Sequence, residues 1–123
     1  MARGRMENLA KKRCIPCEKG TKPLADDVVS VYLKEAGGWS VSEDAKKISR
    51  EFKFADFVSA MAFVNEVAEL AEYEGHHPDI TIWYNRVKFE LWTHAIGGLS
   101  ENDFIMAAKI NQAHTEYTDR SEK

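Results

Sequence analysis

The chain has 123 residues, of which 44% are hydrophobic and 30% charged, with a formal net charge of −3. That length suits a single domain able to bury a real core and leaves little room for a second. No apolar run approaches the roughly 20 residues that span a bilayer. The N-terminus MARGRMENLAKKRC is basic but lacks an apolar segment, so it does not read as a secretory signal, and the chain is expected to be cytoplasmic.

The charge is unevenly placed. Residues 1–22 carry seven Lys/Arg against Glu7 and Glu18, whereas the remainder holds ten basic and eighteen acidic residues. Such a basic head can meet nucleic acid or acidic partners, or be a solvated terminus, and the second is the ordinary case. The only cysteines, Cys14 and Cys17, are spaced as CxxC. Two thiols make half a tetrahedral zinc site or a redox pair. No second CxxC or HxxxH follows, and Pro16 and Gly20 mark irregular chain. The pair is therefore either two reduced thiols in a loop or part of a site completed by another subunit.

In chain order, residues 1–21 read as an irregular basic arm. Thr21 followed by Pro23 is a helix-start signal. Leu24, Val28 and Val31 follow at helical spacing, Asp26 and Asp27 suit the first turn, and Gly37-Gly38 ends the helix. Trp39 to Val41 and Lys46 to Phe54 read as strands; Ile48, Arg50, Phe52 and Phe54 share one face of the second. A strong helix is expected over residues 55–74. Its two apolar stripes, Phe57/Met61/Val64/Ala68/Ala71 and Ala60/Phe63/Val67/Leu70, are wider than one sheet contact needs, which points to a second packing partner such as another subunit. Gly75 ends it. Ile80 to Tyr84 and Val87 to Thr93 alternate as strands around a turn at Asn85-Arg86. Gly97-Gly98 breaks the chain, and a last helix starts at Ser100 to Asp103, with Glu116 onward a polar tail. The pattern αββαββα predicts an α+β fold: a four-stranded antiparallel sheet with helices packed on one face. The domain is expected over residues 22–117, between the arm at 1–21 and the tail at 118–123.

Three of the four histidines lie between Glu74 and His94, in EGHHPDITIWYNRVKFELWTH. Pro78 pushes His77 into extended geometry, where neighbouring side chains point different ways. His76 and His77 would therefore chelate one ion poorly but can flank a small planar ligand. The hairpin can bring His94 beside them. Imidazoles titrate near neutrality, so a cleft with several can give a proton with one and accept a proton with another. Asp103 has a second explanation, since Ser100-x-x-Asp103 resembles a capping box. His114, alone on the last helix, reads as a surface residue. The three tryptophans read as core or interface, and no nucleophile–His–Asp spacing, phosphate-cradling glycine loop or dinucleotide fingerprint is present.

These residues resemble the pterin-4a-carbinolamine dehydratase family, known in animals also as a dimerization cofactor of a homeodomain transcription factor. The pattern Glu-x3-His-His-Pro-x5-aromatic-x9-His-x8-Asp is met by Glu72, His76, His77, Pro78, Tyr84, His94 and Asp103. The likeness runs from about Pro23 to His114 and includes Gly38-Trp39, Phe52-x-Phe54-x-Asp56-Phe57 and Gly98-Leu99-Ser100. Gly75 stands where some animal members carry Asp. The resemblance implies the αββαββα fold and a homodimer or homotetramer. It also implies dehydration of 4a-hydroxytetrahydropterin to quinonoid dihydropterin, which recycles the cofactor of aromatic amino acid hydroxylases. His76, His77 and His94 would be the catalytic acid–base residues, Glu72 and Asp103 would orient them, and Pro78, Trp39 and Thr93 would bind or orient the substrate. No metal, organic cofactor, nucleic acid or membrane partner is implied. The rival expectation is a non-enzymatic assembly or transcriptional role on the same fold.

Overall fold

A computed structural model describes residues 9–16 and 21–121 of the chain. Cys17, Arg3, Arg5 and Lys19, and with them the CxxC pair as a pair, lie outside the described residues. The elements are α1 (Asp26–Ala36), β1 (Ser40–Val41), β2 (Ile48–Lys53), α2 (Phe57–Glu74), β3 (Asp79–Trp83), β4 (Arg86–Leu91), a 3-10 turn (His94–Ile96) and α3 (Glu101–Ser121). The order is αββαββα, as expected. The strands form one antiparallel sheet in the order β1-β2-β4-β3.

Alternation decides which face of the sheet is covered. Ile48 pairs with Leu91, Arg50 with Phe89 and Phe52 with Val87 across β2 and β4. All of these except Arg50 are buried, and the residues between them are not. Helix α3 packs on β4 and against α1 and α2. The helices thus cover one face, and Ala60, Phe63 and Val67 of α2 meet Phe52 and Phe89 in the core. Arg50 shares this inward face. Its guanidinium lies 4.5 Å from the centre of the Phe52 ring and donates to Asn111 Oδ1 at 2.6 Å. Helix α2 begins where Asp56 accepts the Ser59 N–H at 2.8 Å and ends at Gly75, whose φ of +68° is left-handed.

Four local expectations change. Thr21 does not cap α1, which starts at Asp26 after an extended Ala25 that makes no side-chain cap. The Leu24 N–H is used instead on the Leu99 carbonyl at 2.9 Å, and Pro23 packs so closely on Gly98 that a Cβ there would lie 2.9 Å from it. The β3–β4 turn lies at Tyr84-Asn85 rather than Asn85-Arg86, because Arg86 still pairs with Trp83. Tyr84 takes the positive φ of +47°, and Asn85 clasps Phe54 through its Nδ2 and its carbonyl. The polar residues after Glu116 continue α3 to Ser121 instead of forming a tail. Hydroxyls of Thr115 and Thr118 bond carbonyls four residues back, and Tyr117 reaches the Ser59 carbonyl of α2 at 3.0 Å.

The fourth change concerns His114, which is half-buried among aromatic rings rather than a plain surface residue. Its ring lies 4.5 Å from that of Phe52 and 5.5 Å from that of Phe63, centre to centre. The arm is also less irregular than expected: residues 9–11 are helical, and Leu9 and Ala10 are buried in the core. Among the described residues no helix is long and apolar enough to cross a membrane.

Burial, and secondarily the Arg50 cation, pushes His114 below the ordinary histidine value of 6.5. A depressed native pKa means the unfolded chain binds more protons, so stability rises with pH across that window. Wild-type stability should fall as pH drops from about 7 to about 5, and His114→Gln should flatten that slope. Urea melts at stepped pH check this; equal slopes would remove His114 from the acid sensitivity.

Candidate active site

Three element ends meet at one edge of the domain. The C-terminus of α2 runs into Gly75, His76 and His77; the chain after β4 supplies Trp92, Thr93, His94 and Ala95; and α3 starts with Glu101, Asn102 and Asp103. Together with residues 14–16 they enclose a cleft of about 430 Å³, within the range of small-molecule sites. All three histidines of the sequence pattern line it.

Gly75 lets the helix stop abruptly, and Pro78 keeps His77 extended, so the two imidazoles leave the backbone toward different partners. His76 Nε2 lies 2.6 Å from Asp103 Oδ1. Its side chain is only 12% exposed, and that of Asp103 is 0% exposed. The other Asp103 oxygen accepts the Thr93 hydroxyl at 2.8 Å and the Ser100 N–H at 2.9 Å. Thr93 and Ser100 hydroxyls lie 2.7 Å apart. Asp103 therefore makes the return leg of a capping box and holds an imidazole at once. His77 Nε2 lies 2.5 Å from Glu72 Oε2, one turn back on α2, in a pair that is 59% and 78% exposed.

Against a carboxylate, the Nε2 of each ring is the donor. The polar atom left to each of these rings is Nδ1, which is a base in the neutral form and a proton source in the charged form. His94 is held differently: its ring stacks on Trp92 at 3.8 Å between centres. The indole N–H of Trp92 in turn reaches Asp79 Oδ2 at 3.3 Å.

Of the other expected site residues, Thr93 lines the cleft, Glu72 and Asp103 stand behind the histidines, and Pro78 shapes the chain between His77 and β3. Trp39 is elsewhere. It is buried in the core, its indole N–H donating to Asn111 Oδ1 at 2.9 Å, and the cleft lining does not include it. Sequence reasoning missed Trp92, Glu74, Asn102 and residues 14–16. Helical periodicity flagged Glu74 as merely the end of α2, and the arm's partners lie 60 to 99 residues away, beyond any local pattern.

Glu74 is buried. Burial alone would push its carboxyl up, but the Cys14 N–H together with Lys109 and Arg13 holds it below the ordinary range. Its Oε2 faces Lys109 Nζ at 3.4 Å, an ion pair rather than an aligned hydrogen bond. Burial first, and the Glu74 charge second, push the Cys14 thiol up to about 12. Cys14 is thus a protonated thiol at neutral pH, its Sγ 3.6 Å from the Asn102 carbonyl, whereas metal binding and redox attack need the thiolate. Among the described residues no group of three His, Cys, Asp or Glu is placed to hold a metal ion.

The fold is an antiparallel α+β layer with a buried carboxylate–imidazole pair beside a cleft between helix ends. The sequence model described as Pterin 4 alpha carbinolamine dehydratase matches residues 22–113. The chain belongs to the pterin-4a-carbinolamine dehydratase family. A protein of Alkaliphilus metalliredigens (strain QYMF), provisionally named as such a dehydratase, is 46% identical over 90% of this chain and all of its own. The mitochondrial pterin-4-alpha-carbinolamine dehydratase 2 of Arabidopsis thaliana is 40% identical over 96% of this chain and 65% of its own length. The crystal structure of a transcriptional coactivator/pterin dehydratase from Brucella melitensis superposes with a TM-score of 0.71 at 36% identity, over 75% of this chain and 98% of that one. A pterin dehydratase-like RuBisCO assembly factor of the alpha-carboxysome shares the fold, with a TM-score of 0.55 at 23% identity over 63% of this chain and 89% of its own.

Thr93→Val removes one of the donors to Asp103 and leaves the Ser100 hydroxyl without its partner. A buried polar group so exposed to loss costs about 1–3 kcal/mol. Denaturant melts should show a drop of that size; an unchanged midpoint would mean that water replaces the hydroxyl.

Proposed function

We propose that the chain is a dehydratase that converts 4a-hydroxytetrahydropterin to quinonoid dihydropterin and water by histidine acid–base catalysis. The observation that carries this reading is the convergence of His76, His77 and His94 on one cleft, two of them with Nε2 on a carboxylate. Loss of water breaks the bond from C4a to the hydroxyl oxygen. A proton delivered by an imidazolium makes the leaving group water, and a neutral imidazole takes the proton from the adjacent ring nitrogen as the C=N bond forms. Where His76 or His77 carries a step, it uses Nδ1, the ring atom left free of its carboxylate. Asp103 and Glu72 accept the Nε2–H of their rings and so fix how each imidazole is presented. Each turnover conserves the pair's total proton count but exchanges the states of the two rings, which reset by proton exchange through solvent, so the balance needs no cofactor. The catalytic role extends to the reduced pterin class; cofactor recycling in the cytoplasm is the setting this reading implies.

The family resemblance also supports a homo-oligomer, and one feature favours it independently. All five residues of the edge strand β3 are exposed, and Phe57 and Val58 at the start of α2 are exposed apolar side chains, Val58 at 76%. An open sheet edge with Ile80 and Ile82 on it invites pairing with another strand. The same surface would serve the rival reading, an assembly or transcriptional role, which the intact histidine set does not require.

The deciding experiment is turnover of chemically made 4a-hydroxytetrahydropterin. His76→Ala and His94→Ala should each lower the rate by about 10²–10⁴ while eluting from a sizing column as wild type does. A wild type no faster than buffer would sink the dehydratase reading. Val58→Lys with Ile82→Lys should do the reverse, shifting the species toward the 14.0 kDa protomer in sedimentation; an unshifted assembly would move the interface elsewhere.

A further inference from the structure

The arm at residues 9–16 is fastened with more polar contacts than a terminal segment needs. Lys109 Nζ holds the Ala10 carbonyl at 2.6 Å. Lys12 pairs with Glu101 at 2.8 Å. Arg13 lies over the Tyr73 ring at 4.1 Å and reaches Glu74 at 3.3 Å. The Cys14 N–H donates to Glu74 Oε1 at 2.9 Å. Asn102 then grips Ile15 from both sides, accepting its N–H at 3.0 Å and donating to its carbonyl at 2.5 Å.

These anchors are chosen oddly for mere packing. Glu74 and Asn102 are buried, yet what they secure is backbone, and the Ile15 side chain is left 68% exposed. A core contact does the opposite: it hides the apolar side chain and lets secondary structure satisfy the backbone. Here the backbone is locked and an apolar side chain is left out on the lining of the histidine cleft, next to Pro16. Moreover, Glu74 is two residues before His76, and Asn102 is the neighbour of Asp103. The segments that carry the acid–base pair therefore also set the height of the arm above it.

We propose that Ile15 and Pro16 are a substrate-binding wall, and that Asn102 and Glu74 are positioning residues that hold this wall against one side of a bound reduced pterin. The proposal rests on the dehydratase reading and adds to it a specificity element outside the histidine set. The arm works through binding: it supplies apolar surface to a flat heterocycle whose polar edge meets the imidazoles, and it takes no part in proton transfer.

The test is steady-state kinetics on the full chain with 4a-hydroxytetrahydropterin, beside equilibrium binding of unreactive 7,8-dihydropterin followed by tryptophan fluorescence. Ile15→Ala with Pro16→Ala trims exposed side chains and should not alter folding. It should raise KM and the dihydropterin Kd about fivefold or more with kcat within about twofold. Asn102→Ala should do the same, and Asn102→Asp, which keeps only the acceptor for the Ile15 N–H, should fall between. Unchanged KM and Kd in the Ile15/Pro16 variant overturn the proposal while leaving the dehydratase reading intact. A fall in kcat alone on Asn102→Ala also overturns it, since that residue would then act through Asp103. A wild type that neither turns over nor binds the pterin overturns both.

Discussion

A carboxylate with no solvent exposure is the most demanding group in this domain. Moving such a charge out of water costs several kcal/mol even after relaxation, and it survives only when its oxygens are well supplied with donors. Asp103 finds them in three separate stretches: an imidazole after α2, a hydroxyl after β4, and the backbone N–H of Ser100 at the start of its own helix. Each donor can reach it only if all three chain ends stop at the right place. Gly75 stops α2, the Thr93–Gly98 bridge turns the chain back after β4, and Leu24 pins the loop before α3 through the Leu99 carbonyl. The chain breaks that would otherwise be punctuation are thus the supports of a charged centre.

The same ends also look outward. Nearby residues on each carry the opposite duty: Glu74 and Asn102 take the arm, His76 and Asp103 make the buried pair. This explains why Glu74 tolerates burial. It faces Lys109, Arg13 and the Cys14 amide, and a buried acid with cations and an N–H on it is held ionised, whereas the thiol beside it is held protonated by burial first and by that charge second. The two imidazoles of the His-His pair differ for an equally local reason. His76 is fixed by a fully buried partner and has little freedom. His77 is tied to Glu72 across one exposed helical turn, a pairing of small energetic value that sets orientation more than stability.

Much of this was legible in the sequence because it rests on local periodicity. The period-two strands, the helix ended by Gly75, and the order αββαββα come from residues a few positions apart, and the β2 face was read correctly even to the inclusion of Arg50. The histidine set was legible from its clustering and spacing. What escaped depended on distant partners. Thr21 lost its capping role to a contact between Leu24 and Leu99. Trp39 is core, as its residue type suggested, but its bond to Asn111, 72 residues away, was not legible. The arm read as irregular since nothing within it shows that Leu9 and Ala10 have a core to enter. Hydrophobic alternation also cannot tell that Trp92, just past β4, leaves the strand to carry a stacked histidine.

His114 makes the distinction sharpest. It is the same residue type as the three in the cleft, and it too lies among aromatic rings, but its neighbours Phe52, Phe54 and Phe63 offer no carboxylate, and Arg50 adds a like charge. Such surroundings favour the neutral ring and leave it a packing element. His76 is likewise partly buried, yet it sits against a carboxylate that has no exposure to solvent. Burial therefore does not set His76 apart from His114. The carboxylate partner does, and that partner is retained by the meeting of three chain ends, so the geometry of the cleft and the topology of the domain are secured by one set of hydrogen bonds.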